Sequence, residues 1–103
     1  MMAYKLRLVQ RFQENKRKEF LELEEKFIQL EKQNPEFPKG KRYLPCTGRE
    51  PGNTLIWECQ FATLEEVLKT LAFLGSNPSH EELFQQQVRF FLESYVEIYQ
   101  ELA

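Results

Sequence analysis

Residues 53–66, NTLIWECQFATLEE, decide how this chain folds. They follow a Pro51-Gly52 turn, and the run Thr54-Leu55-Ile56-Trp57-Glu58-Cys59-Gln60-Phe61 is dense in β-branched and aromatic side chains that suit a pleated surface. The run reads as a strand. Thr63 then precedes Glu66 at the spacing by which a hydroxyl and a carboxylate each satisfy a free backbone N–H at a helix start. A largely apolar strand therefore feeds straight into a helix, and the rest of the chain has to cover it. Alternation puts Leu55, Trp57, Cys59 and Phe61 on one side and Thr54, Ile56 and Glu58 on the other, so Trp57 and Glu58 do not form one constellation.

Upstream, residues 4–12 alternate as well: Tyr4, Leu6, Leu8, Gln10 and Phe12 face one way, and Lys5, Arg7, Val9 and Arg11 the other. The period then lengthens. Phe20, Leu23, Phe27 and Leu30 form an apolar stripe widened by Leu21 and Ile28, with Glu22, Glu24, Glu25, Lys26 and Lys32 opposite, which predicts an amphipathic helix over residues 15–33. Pro35 ends it. Residues 36–40, EFPKG, read as a linker and residues 41–48 as a short irregular strand, where Pro45 has no N–H to donate and so demands an edge or a bend. Residues 48–53 then close a hairpin with the central strand.

Downstream, Leu64, Val67, Leu68, Leu71 and Ala72 make one face of a helix that stops near Gly75. Ser79 with Glu82 predicts a second capping box, opening a helix whose apolar side is Leu83, Phe84, Val88, Phe91 and Leu92. Residues 95–102 return to alternation and read as a closing strand, with a continued helix as the rival. The order βαββαβ predicts one α+β domain over residues 1–103: a ferredoxin-like, four-stranded antiparallel sheet with its helices on one face. Val9 and Ile56 leave the second face partly apolar. Such a face wants a partner, and a two-fold homodimer is the economical one.

Composition narrows the function classes. The chain has 103 residues, 42% hydrophobic and 29% charged, the balance of a folded domain with one core. Its net charge of -2, with bases interleaved among acids as in Glu14-Asn15-Lys16-Arg17-Lys18-Glu19, argues against nucleic acid. Lys5, Arg7 and Arg11 repeat with period two, a face that suits either an acidic partner or plain solvent. Cys46 and Cys59 are too far apart for a CxxC motif and, with a single histidine, too few for a zinc site, so no metal is expected. Nor is there an apolar run of the ~20 residues that cross a bilayer. A cytoplasmic protein without membrane contact is the expectation.

The segment Trp57-Glu58, then Phe61, the capped Leu64-Glu65-Glu66 helix, the Ser76-Asn77-Pro78 break, a further helix and Tyr95-Val96-Glu97-Ile98-Tyr99 resembles the C-terminal half of dimeric α+β barrel proteins. Within them it is similar to the NIPSNAP-like and antibiotic-biosynthesis-monooxygenase-like families. The resemblance implies paired sheets forming a barrel and a pocket between sheet and helices, binding a small apolar or aromatic molecule without a cofactor. Some members are cofactor-independent monooxygenases of phenolic polyketides. Others degrade haem with an Asn, Trp and His set, whose tryptophan and histidine positions here fall near Glu66 and Phe84, so that activity is not expected.

Five residues are candidates for a pocket. Trp57 offers a flat wall, although a tryptophan in a central strand is first of all core. Cys59 shares its face but has no neighbouring base to activate the thiol. Tyr4 and Tyr43 carry phenols, and His80 is the one side chain that ordinarily titrates near neutrality, at a place near a helix start that is usually exposed. No set of catalytic residues can be assigned. Two readings stand: a homodimeric ligand-binding protein, or a cofactor-independent monooxygenase using oxygen as cosubstrate. A cavity of ~300 Å³ or more beside Trp57, with converging polar groups, favours chemistry over a filled interior.

Overall fold

Four strands and three helices account for most of the described residues: β1 (Tyr4–Phe12), α1 (Arg17–Gln33), β2 (Lys41–Tyr43), β3 (Thr54–Phe61), α2 (Leu64–Ser76), α3 (Pro78–Gln87) and β4 (Phe91–Gln100). This computed structural model describes residues 3–102. The strands form one sheet in the order β2-β3-β1-β4, every neighbouring pair antiparallel. That is the ferredoxin-like arrangement, with β3 and β1 in the centre and β2 and β4 at the edges.

Register sorts the side chains. Leu8 lies opposite both Trp57 and Val96, and Trp57 opposite Arg42, so all four point to the side that the helices cover. Leu6, Trp57, Phe61 and Val67 pack as one buried cluster, and Phe12, Phe20 and Leu55 as a second. In the second, the Phe12 and Phe20 rings stack with centroids 4.4 Å apart. α2 covers the first cluster and α1 the second.

The opposite face is a charge ladder rather than a greasy surface. Arg7 stands across from Glu58 on one side and Glu97 on the other, reaching them at 2.8 and 2.9 Å, and Arg11 reaches Glu93 at 2.9 Å. The basic stripe of β1 is thus matched by acids on its neighbours. Val9 and Ile56, which the sequence leaves needing a partner, are buried within the single chain. The loop at residues 44–53 lies beside Ile56 and is held by the Tyr95 hydroxyl, which donates to Glu50 at 2.7 Å. That bond, first among the causes, pushes the Tyr95 phenol up to about 12. Uncovered apolar area includes Val96 and Ile98 on the helix side of edge strand β4, and Leu64 and Leu68 of α2.

Three boundaries differ from the sequence reading. The first cap of α2 is as expected, with Thr63 accepting from the Glu66 N–H at 3.2 Å. The α3 cap is Asn77, not Ser79: its side chain accepts from the His80 N–H at 3.0 Å, with Pro78 in the first helical position, where a missing N–H is harmless. α3 stops at Gln87, Val88–Phe90 make a tight 3-10 turn, and β4 begins at Phe91 instead of Tyr95. Phe91 pairs with Phe12, so ladder formation with β1 overrides the helical spacing of Val88, Phe91 and Leu92. β2 is only Lys41–Tyr43, ending before Pro45.

Replacing Asn77 by Ala is expected to lower unfolding free energy by about 1 kcal/mol in chemical denaturation. Ser79→Ala should stay within about 0.5 kcal/mol of the parent, as for an ordinary surface change.

Candidate functional site

The helical layer does not close completely on the sheet. Between them is a cavity of about 340 Å³, bordered by Leu8 and Trp57 from the sheet, Phe27 and Glu31 from α1, Leu74 from α2, and His80 and Phe84 from α3. Among its lining residues, Gly75, Ser94 and Val96 are exposed and mark its mouth, between α2 and the β4 edge.

Trp57 forms part of the sheet-side wall because of its place in β3 and because of Gly40. A Cβ on residue 40 would fall inside contact distance of the indole Cε2, Nε1 and Cζ2 atoms, so the backbone lies directly against the ring. The linker preceding β2 therefore holds the indole in place. Pro38 and Phe37 of the same linker continue the wall, with Phe37 buried and packed edge-on against Phe73 of α2 at 5.0 Å.

One wall of the cavity is ionic. Arg42 Nε donates to Glu24 at 2.5 Å, and both Nη groups reach the Glu31 carboxylate. Gln87, itself 1% exposed, donates to the other Glu24 oxygen at 3.0 Å and to the Phe20 carbonyl at 3.3 Å. Burial alone would lower the Arg42 pKa, but the Glu31 bond and the Glu24 charge outweigh it and raise the value. The guanidinium stays charged. Sequence reading placed Glu24 on the solvent side of α1; the structure buries it, because Phe20, Glu24, Phe27 and Glu31 share one helical face. An acid at each of two positions of an otherwise apolar stripe was the available signal.

His80 is not the exposed residue its position near a helix start suggests. Its ring lies 5.0 Å from that of Phe27 and 6.5 Å from that of Phe37, and Nδ1 is buried with no hydrogen-bond partner. Burial pushes its pKa down, against the opposing fields of Glu81 and Glu31. The imidazole is neutral at pH 7.

Of the sequence candidates, Trp57 and His80 meet in this cavity. Tyr43 is on the opposite face, in the groove by the loop at residues 44–53. Tyr4 borders a separate small cleft at the sheet's end, and Cys59 packs beside the first core cluster, its thiol pushed up chiefly by burial. No group of three or more His, Cys, Asp or Glu among the described residues is arranged to hold a metal ion, and no helix among them is long and apolar enough to cross a membrane.

The sequence matches no family model and none of the curated proteins. Solved structures do match. A NIPSNAP family protein from Agrobacterium tumefaciens superposes with a TM-score of 0.78 at 14% identity, over 98% of this chain and 87% of that one. An uncharacterized NIPSNAP domain protein from Burkholderia xenovorans gives 0.78 at 12% identity, covering 97% and 95%. A candidate antibiotic biosynthesis monooxygenase from Nitrosomonas europaea gives 0.70 at 10% identity, covering 97% and 99%. The chain thus has the fold shared by NIPSNAP and antibiotic-biosynthesis-monooxygenase-like structures, as its motifs suggest.

Gly40→Ala should displace the indole and cost about 1–3 kcal/mol, the usual range for overpacking; because Trp57 is the only tryptophan, a shift in its emission maximum reports the movement directly. The depressed His80 pKa also sets a sign. The unfolded imidazole, near its ordinary 6.5, takes a proton before the folded one does, so His80 makes stability fall as pH drops below that value until the folded pKa is passed. Denaturation midpoints of His80→Gln should be flatter than those of the parent across that interval.

Proposed function

We propose that this protein binds a small, largely aromatic molecule in the cavity between sheet and helices, and does so as a homodimer. The observation that carries the reading is the cavity itself: at about 340 Å³ it falls within the size of small-molecule sites, with aromatic walls and a few converging polar groups. A merely structural interior would have been filled, since cores pack to crystal-like density. The homodimer is supported by Val96 and Ile98, which expose apolar area on an edge strand beside the mouth. Its likeness in fold to the NIPSNAP structures is consistent with this and assigns no ligand.

A second reading has the bound molecule oxidised rather than only held. It is favoured by the same cavity, whose size beside Trp57 and converging polar groups are those expected where there is chemistry, by a neutral imidazole and an indole bordering it, and by the fold likeness to the candidate monooxygenase. His80 would take a proton from an acidic carbon or hydroxyl of the ligand. The ligand's CH₂ would then react with O₂ to give a carbonyl and water, the substrate itself supplying the electrons.

Titration calorimetry with 2-naphthylmethanol, a neutral bicyclic probe, tests the first reading. The parent should bind it, and Gly75→Phe, a change at an exposed α2 position that narrows the mouth and lies off the β4 edge, should weaken binding by about tenfold or more, equivalent to ~1.4 kcal/mol. Binding unchanged by that substitution would place the ligand elsewhere. Sedimentation should return twice the 12.4 kDa chain mass at micromolar concentration, and a stable monomer would overturn the dimer. Oxygen uptake in the presence of a bound probe with an oxidisable CH₂, abolished in His80→Gln, would establish the second reading.

A further inference from the structure

Resting on the ligand-binding reading, we infer that the molecule this cavity is built for carries a positive charge: an aromatic compound bearing a protonated amine. The cavity's ionic wall is unbalanced. Glu24 and Glu31 both border it, and the one guanidinium there, Arg42, is shared between them. Two carboxylates against one cation leave a negative excess, to which Glu81 of α3 adds. His80 supplies no offsetting charge, since it is neutral. Lys39, on the linker that packs beside Trp57, is exposed and directed to the backbone carbonyls of Glu31 and Asn34 at the end of α1.

The hydrogen-bonding inventory points the same way. Three of the five Arg42 N–H donors are directed to carboxylates, and the Gln87 amide nitrogen is engaged by Glu24 and the Phe20 carbonyl. Each carboxylate oxygen still has a second lone pair, and the Gln87 carbonyl is a further acceptor. The wall is therefore rich in acceptors. Gln10 and the Trp57 indole add neutral donors, which do not offset a net charge. An anionic ligand would have to be desolvated against that excess, whereas an ammonium group would complete it.

The remaining walls favour a cation for a separate reason. Trp57, Phe27, Phe37 and Phe84 present ring faces or edges around the same space, and aromatic faces attract a cation most where water is excluded. An apolar body on the rings with its ammonium toward Glu31 satisfies both sets of contacts.

The test compares three probes of nearly one shape by calorimetry at pH 7: 2-naphthylmethylamine, 2-naphthylmethanol and 2-naphthoic acid. The amine should bind the parent about tenfold tighter than the alcohol, equivalent to ~1.4 kcal/mol and drawn from the carboxylates and the rings together, with the acid weakest. Glu31→Gln, which leaves Arg42 balanced by Glu24 alone, should cut the amine's advantage by about threefold or more, to what the rings supply, while leaving the alcohol within about twofold. The ranking on the parent chain decides the sign even where that variant does not fold. An acid that binds as well as the amine, or an amine preference undiminished by Glu31→Gln in a folded variant, overturns the charge inference alone. Failure of all three probes to bind overturns the ligand reading and this inference with it.

Discussion

A buried guanidinium shared by two carboxylates is the contact on which the interior depends. Arg42 belongs to the edge strand β2, Glu24 and Glu31 to α1, and Gln87 to the end of α3, so one polar cluster ties an edge of the sheet to two of the three helices. Taking such charges out of water costs several kcal/mol per ion, and the cost is offset only while every partner is present and hydrogen-bonded. The cluster is consequently a weak source of stability but a strong source of geometry. It sets where α1 may sit over the sheet, and a helix held there by ions does not settle onto the indole of Trp57 as a purely apolar helix would.

The cavity follows from that spacing and from its aromatic frame. Phe27, Phe37 and His80 brace one another across α1, the linker and α3, while Gly40 holds the indole against the opposite wall. The other side of the sheet meets a different demand. Its cations and acids alternate across three strands, so that face is matched within one chain, and the apolar area left over is at the β4 edge.

The βαββαβ order, the alternation of β1 and β3 and the cap at Thr63 were all legible in the sequence because each rests on contacts a few residues apart. The α3 boundaries were less so. Asn77 and Ser79 are both good caps, and the choice turns on Pro78, which suits the first helical turn. The early start of β4 could not be read locally, since Phe91 is pulled into the ladder by Phe12 from the far end of the chain. Trp57 stood out as a flat wall, whereas the polar side of the cavity did not stand out at all. Glu24 and Glu31 look like two more solvent-facing acids on a helix rich in them, and only their phase with Phe20 and Phe27 marks them as inward. Arg42 is likewise an ordinary base beside a proline-containing segment until the register of β2 turns it toward α1.

The most direct measurement is a crystal structure of the chain grown with 2-naphthylmethylamine. Ring density is expected between Trp57 and Phe27, with the amine nitrogen within hydrogen-bond distance of the Glu31 carboxylate. An interior in which the side chains of Phe27, Phe84 and Leu74 meet over the indole, leaving no space for the probe, would contradict it.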